Sequence, residues 1–287
     1  MTDDEAPLGG RRPIEEGSVT QKVELSYGRY LHLDQILGAQ HPVSGPDNHD
    51  ELLFIIQHQT SELWLKLVLS ELTFARRWIA ADSIGPALKA LARVKHVQHQ
   101  LNEQWSVLAT LTPSEYAGFR SRLGTSSGFQ SWQYRAVEFI LGNKSEAMVE
   151  LFGHDPEAQE MLTSLMAQPT LYDEFLRYLS RRSYPVPDFV LGRDVTQPWS
   201  FVPELAEVLA PIYQTPADHW EAYETCEELV DVEDNFQLWR FRHLSTVRRT
   251  IGERSGTGGS AGIAFLRRAL EQSFFPELYA LRSELTL

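Results

Sequence analysis

Residues 49–80, HDELLFIIQHQTSELWLKLVLSELTFARRWIA, contain neither proline nor glycine and predict one long helix that ends near Ala80. Helical spacing relates Leu53, Ile56, Leu63, Leu67 and Val68. Because apolar residues occupy more than one face of segment 52–69, we expect this helix to be buried. The turn-rich stretch before it predicts Asp47 or Asn48 as the N-cap.

Helical signals continue along the chain, whereas period-two alternation bounded by turns is nearly absent. Further helices are predicted at about 85–108, 113–122, 129–141, 157–167, 171–179, 203–213, 216–251 and 263–271. The fold class we expect is therefore all-α. A length of 287 residues gives a soft prior of two domains, although one large helical domain also fits.

Composition excludes several classes of protein. The chain has 39 acidic and 26 basic side chains, a formal net charge of −13, which argues against broad binding to a nucleic-acid backbone. A single cysteine, Cys226, cannot build a thiolate zinc or iron–sulfur site, so a metal would need histidine, carboxylate or a prosthetic group. Because no apolar run has the length of a signal peptide or a membrane span, we expect a cytoplasmic protein.

Two histidines lie in apolar helical segments. His58 has Phe54 and Glu62 one turn away on the same face. A buried imidazole must satisfy two ring nitrogens, so His58 is a partnered core residue, a metal ligand or an acid–base group. His243 follows Trp239 by one turn, and this aromatic face suits an axial haem ligand as well as a packed aromatic core. Both interpretations stay open on these residues alone.

Other polar signals also leave the chemistry open. Arg120, at the end of a short helix, suits a bidentate clamp on a ligand carboxylate or a helix C-cap. A carboxylate-bridged di-iron site needs Glu-x-x-His pairs, and none of the nine histidines has a glutamate three residues before it. The acidic run 227–234 is typical of a solvated helix face. Five glycines within 252–262 indicate a loop that is mobile or shaped around a ligand.

Five motifs, in order, resemble the tryptophan 2,3-dioxygenase family. They are FIIQHQTSELW at 54–64, YAGFR at 116–120, SSGFQS at 126–131, QLWRFRH at 237–243 and GTGGS at 256–260. The resemblance extends from about residue 24 to the C-terminus. It implies an all-α homotetramer in which a single helical domain, 21–287, encloses b-type haem after a flexible leader, 1–20. It also implies an enzyme that opens the indole ring of L-tryptophan with O2 to N-formylkynurenine, the first step of tryptophan catabolism by the kynurenine pathway.

The resemblance implies roles for individual residues. His243 would be the proximal ligand to the haem iron, ferrous in the active state, and His58 the distal histidine that bonds the indole N–H. Arg120 would hold the substrate carboxylate, and Thr257 would help to bind the ammonium and carboxylate groups. The other implied contacts are the indole-pocket walls Phe54, Tyr116 and Phe119, the haem neighbours Trp105, Ser127 and Gly128, and Tyr27, Tyr30 and Leu31, which would reach into a neighbouring subunit's pocket.

Two other functions are compatible with these motifs. Related histidine-ligated haem oxygenases of natural-product pathways accept modified indoles or other aromatic amino acids. A haem or tryptophan sensor without turnover would keep the same pocket. His58, Arg120 and Thr257 together favour unmodified, zwitterionic tryptophan as the ligand.

Overall fold

The computed structural model describes residues 25–46, 48–254, 256 and 262–283, and these residues form helices and no strand. The all-α prediction is therefore confirmed for the described chain. The α-helices are α1 Tyr27–Tyr30, α2 Leu33–Leu37, α3 Asp50–Ala80, α4 Ile84–Glu103, α5 Trp105–Leu108, α6 Pro113–Arg120, α7 Trp132–Leu141, α8 Glu146–Glu150, α9 Pro156–Met166, α10 Leu171–Arg181, α11 Asp188–Leu191, α12 Leu205–Gln214, α13 Trp220–Ile251, α14 Ile263–Leu270 and α15 Pro276–Arg282. Two 3-10 turns cover Gly128–Gln130 and Pro216–Asp218.

The chain divides into two compact units, Met1–His41 and Pro42–Leu287. The described part of the first unit consists of α1 and α2. The Ser26 hydroxyl accepts a hydrogen bond from the Arg29 N–H and so caps α1. Tyr27 and Tyr30 are 75% and 67% exposed. The predicted leader, 1–20, lies outside the described residues, and one domain over 21–287 stays a prediction.

The core of the second unit lies between its longest helices. Helices α3 and α13 have 31 and 32 residues, so each extends for about 47 Å. Helix α4 packs against both, and its polar side chains bond the α13 backbone: Gln98 Nε2 donates to the Val232 carbonyl at 2.9 Å. Buried members of this core include Leu72, Leu91, Leu176, Leu209 and Leu229.

The N-cap prediction for α3 is wrong. Its N-cap is His49, whose side chain makes no capping hydrogen bond. Asn48 Nδ2 instead donates to the Ser44 carbonyl at 3.2 Å, and Asp47 lies outside the described residues. The reason is that the Glu51 carboxylate accepts from the backbone N–H groups of Val43 and Ser44, which folds the preceding loop back towards the helix. The predicted end at Ala80 is confirmed.

Prediction of the other helices succeeded where a cap or an uninterrupted run marked them. Thr112 and Glu115 form the capping box that begins α6. The predicted helix at 85–108 is divided at Gln104 into α4 and α5, and the one at 129–141 begins as a 3-10 turn. The short helices α1, α2, α8 and α11, and the last helix, α15, were not predicted.

The acidic run 227–234 is not uniformly solvated. Glu233 is 1% exposed, and its carboxylate accepts from the Phe275 backbone N–H at 2.8 Å. Glu228 and Asp231 pair with Lys95 of α4 at 2.7 and 2.8 Å. The run therefore joins α13 to its neighbours. Within the described part of the chain, no helix combines the length and the apolar character that crossing a bilayer would need.

Candidate active site

A small aromatic cluster lies apart from the main hydrophobic core. Its buried members are Trp105, Leu108, Leu111 and Phe119, and its half-buried members are Leu53, Phe54, Tyr116, Leu123 and Trp239. Helices α3, α5, α6 and α13 supply most of these side chains. This cluster, which we call the site cluster, gathers residues from three of the five sequence motifs.

Three aromatic side chains of the site cluster lie next to His58. The Phe54 ring lies 4.2 Å from the His58 ring, 5.9 Å from Tyr116 and 5.4 Å from Phe119, measured between centroids. Tyr116 and Phe119 meet edge to face at 5.3 Å. The three predicted walls of the indole pocket are therefore in mutual contact beside His58.

One nitrogen of His58 has a defined partner. Its Nδ1 lies 2.7 Å from the Phe54 carbonyl oxygen. Because a carbonyl only accepts, Nδ1 carries the proton and Nε2 of the neutral ring is an acceptor. Burial lowers the pKa of His58, although the bond to Phe54 and the charge of Glu62 oppose that shift. His58 is therefore neutral near pH 7, and no described residue donates a hydrogen bond to its Nε2.

His243 lies between two indole rings. Trp105 stacks on it with centroids 5.1 Å apart and an interplanar angle of 16°, and Trp239 contacts it at 5.2 Å. Burial lowers its pKa to about 4, and the charge of His58 contributes to the decrease. His58 is therefore close enough to affect the ionisation of His243. His243 is neutral at pH 7, and no described residue forms a hydrogen bond with its ring nitrogens, so a lone pair is available to a metal.

The donor set fits haem better than a bare metal ion. Among the residues that the structure describes, no group of three or more histidine, cysteine or carboxylate side chains could hold an ion. A prosthetic group needs only one histidine from the protein. Next to His243, Trp105 Nε1 is buried with no hydrogen-bond acceptor in the described chain. A buried N–H requires an acceptor, and a carboxylate of a porphyrin would supply it.

The structure resolves the surroundings of only some other predicted residues. Arg120 ends α6 and donates to the Tyr116 hydroxyl, whose pKa is raised by burial although this arginine opposes the rise. Ser127 accepts from the Phe129 N–H in a capping box that closes the Gly128–Gln130 turn. No described contact links Ser127 or Gly128 with either histidine. Thr257 lies outside the described residues. The roles of these residues stay predictions.

A buried ionic group beside the site was missed by sequence reasoning. Arg240 lies one turn before His243, and its guanidinium bonds Glu138 of α7 at 2.9 Å. It also donates to the Ala269 and Gln272 carbonyls, at the end of α14. Arg135 holds the second oxygen of Glu138 at 2.7 Å. The sequence feature that could have predicted this group is an arginine within the aromatic segment 236–243, because a charged side chain that is buried there needs a partner of opposite charge.

Comparison with known proteins gives consistent matches. A family model described as tryptophan 2,3-dioxygenase matches residues 14–164 and 204–285. A Saccharopolyspora erythraea protein named tryptophan 2,3-dioxygenase is 63% identical over 278 residues, 96% of this chain and 99% of that protein. Proteins of the same name from an Arthrobacter species and Serratia proteamaculans are 62% and 52% identical, over 91% and 96% of this chain and 92% and 99% of their own lengths.

Proposed function

The chain belongs to the tryptophan 2,3-dioxygenase family, and on this basis we propose that it opens the indole ring of L-tryptophan with O2 to N-formylkynurenine. The product implies a role in tryptophan catabolism. The observation that carries the proposal is a pair of neutral histidines whose rings contact the same aromatic cluster, each with a ring nitrogen that no described residue binds. His58 presents a hydrogen-bond acceptor, and His243 presents a metal ligand.

The cofactor we propose is b-type haem. His243 would ligate its iron, and Trp105 Nε1–H would donate to one of its carboxylates. When bound, the haem supplies the ferrous iron that activates O2. Burial supports this role for His243, because a pKa lowered to about 4 leaves the imidazole unprotonated at neutral pH, as a metal ligand must be. Ser127 and Gly128 are further proposed haem contacts.

His58 would fix the orientation of the indole. Its Nε2 is the acceptor for the indole N–H, because the Phe54 carbonyl keeps the ring proton on Nδ1. Phe54, Tyr116 and Phe119 provide apolar surface for the indole ring. Such walls also exclude water, which strengthens the hydrogen bond and protects reactive species from side reactions.

Arg120 would hold the other end of the substrate. Its guanidinium can bind an α-carboxylate through two parallel hydrogen bonds. With the carboxylate and the indole N–H both fixed, the C2–C3 bond has one orientation towards the reacting oxygen. Positioning of this kind can supply about 7–11 kcal/mol of a barrier. Thr257 is a further proposed contact for the ammonium and carboxylate groups.

The proposal includes a cytoplasmic homotetramer whose N-terminal segments complete neighbouring pockets. The residues proposed to do so are Tyr27, Tyr30 and Leu31. The high exposure of the two tyrosine side chains supports this role, since large aromatic surfaces in water are typical of interaction sites.

Turnover of L-tryptophan by the ferrous, haem-loaded protein tests the function. We expect N-formylkynurenine to appear with consumption of one O2 per tryptophan. 1-Methyltryptophan lacks the N–H, leaves His58 Nε2 unpaired, and should react about 5- to 160-fold more slowly, since an unsatisfied buried acceptor costs about 1–3 kcal/mol. His243→Ala should lose the Soret band.

Each competing function has its own outcome in this assay. Turnover of the methylated indole without turnover of tryptophan would assign the chain to modified-indole chemistry. Tryptophan binding without any product would indicate a sensor. An unchanged haem spectrum in His243→Ala would refute the assignment of the proximal ligand.

A further inference from the structure

Helix α6 approaches the loop before α3 very closely at one glycine. A Cβ atom built on Gly118 would lie 2.5 Å from Asn48 Oδ1, well inside ordinary contact, which begins at about 3.4 Å. Glycine is disfavoured inside helices relative to alanine, so a helical glycine calls for a packing reason. The close approach of Asn48 supplies that reason.

The side chain of Asn48 is itself held in place. Its Nδ2 donates to the Ser44 carbonyl at 3.2 Å. Ser44 is in turn fixed by Glu51, which accepts from the Ser44 N–H at 2.8 Å and from the Ser44 hydroxyl. Glu51 is 2% exposed. Because Glu51 holds Ser44 in place, a displacement of Asn48 Oδ1 would stretch the bond from Asn48 Nδ2 to the Ser44 carbonyl.

The docked helix carries the residues proposed to bind substrate. Gly118 lies directly before Phe119, which is 0% exposed and contacts Phe54, and two residues before Arg120. Phe119 and Asn48 therefore hold α6 at two points, one in the site cluster and one at the surface. A shift of the surface point would tilt the last turn of α6, where Arg120 lies.

We propose that Asn48 is a positioning residue for the substrate carboxylate: its contact with Gly118 sets the place of α6 and, through it, of the Arg120 guanidinium. The inference rests on the proposed function, because Arg120 has a substrate to position only if the chain binds tryptophan. Asn48 touches neither the substrate nor the cofactor in this proposal. It acts through the backbone of α6.

The test is Gly118→Ala in the haem-loaded enzyme. To increase the distance between the added Cβ and Asn48 Oδ1 from 2.5 to about 3.4 Å, α6 must shift by about 0.9 Å. A misplacement of about 1 Å can reduce a rate about 100-fold. We expect kcat/KM for L-tryptophan to fall about 10- to 100-fold, with most of the change in KM, and the Soret band to stay the same because His243 and Trp105 lie on other helices.

A second substitution distinguishes positioning from a general structural defect. In the Asn48→Ala background the overlapping oxygen is absent, so adding Gly118→Ala should change kcat/KM by less than about twofold. Gly85→Ala is the matched control, since it is also a helical glycine but has no atom within 4 Å of an added Cβ. It should leave both KM and kcat unchanged.

Thermal unfolding of the same variants gives a readout that does not depend on turnover. Gly118→Ala should lower the midpoint when Asn48 is present and raise it when residue 48 is alanine. A Gly118→Ala enzyme with wild-type KM and kcat, or an equal loss in both backgrounds, would overturn the inference and leave the proposed function intact. A wild-type enzyme that neither binds nor converts tryptophan would overturn the proposed function, and this inference with it.

Discussion

Arg240→Met is expected to lower the free energy of unfolding by about 3–5 kcal/mol, because it removes one partner of a buried ion pair. The Arg240 and Glu138 side chains are 3% and 4% exposed, and their charged atoms are 2.9 Å apart. The variant also leaves the Ala269 and Gln272 carbonyls without this donor. Since Glu138 keeps its bond to Arg135, we expect a value near 3 kcal/mol.

Equilibrium urea unfolding, followed by far-UV circular dichroism, measures this loss. Arg93→Met is the control, because Arg93 is paired with Glu71 at a similar distance, 2.7 Å, but is 50% exposed. An exposed pair contributes at most about 1 kcal/mol. Combining Arg240→Met with Glu138→Gln should cost less than the sum of the two single changes, since the second removes the charge that the first leaves short of a partner. An equal decrease in the free energy of unfolding for Arg240→Met and Arg93→Met would refute this prediction.

Three further predictions concern other buried polar groups. Burial lowers the pKa of His58, so kcat/KM should be constant at neutral pH and fall only below pH 6.5, the ordinary pKa of histidine. It falls because protonation of Nε2 removes the hydrogen-bond acceptor. The pH profile of His58→Ala should lack this fall. Burial raises the pKa of Glu51, but hydrogen bonds from Ser44 and Val43 outweigh burial and hold this pKa below 4.5. The Glu51 carboxylate therefore stabilises the fold above pH 4.5, and this stabilisation is lost as the pH falls through the lowered pKa. Glu51→Gln should therefore unfold about 1.5–3 kcal/mol more easily in urea at pH 7 and converge with the wild type in acid. Trp105→Phe keeps an aromatic ring beside His243 but lacks the indole N–H that is proposed to bind a haem carboxylate. Transfer of haem from this variant to apomyoglobin should therefore be about five- to tenfold faster than from the wild type. An unchanged transfer rate would exclude a hydrogen bond between Trp105 and a haem carboxylate.

The long helices could be predicted because their signals are local. Helix α3 follows from its apolar periodicity without proline or glycine, and α6 from the capping box of Thr112 and Glu115. The N-cap of α3 could not be predicted, since Glu51 organises the preceding loop through bonds to Val43 and Ser44. These hydrogen bonds depend on the folded geometry of the loop and do not correspond to a periodic pattern in the sequence.

The sequence indicates which side chains of the candidate site lie together, but not their polar partners. His58, His243 and the aromatic walls follow from motifs, and the structure brings both histidine rings into contact with the site cluster. Which nitrogen of His58 carries the proton depends on the Phe54 carbonyl, one helical turn away. The burial of Glu233 depends on the Phe275 N–H, 42 residues later in the chain. Long-range partners of this kind decide whether a charged side chain is solvated, and only the folded arrangement identifies them.

The separation of the site cluster from the main core has a consequence for how the enzyme is assembled and how it can change. Among the described residues, Trp239 alone packs against both groups of side chains. Most of the apolar burial of the described residues therefore lies outside the site cluster, so we expect the helical scaffold to form before the proposed haem binds. For the same reason we expect substitutions in the proposed pocket walls around His58 to affect stability less than substitutions of Trp239, which packs against both groups.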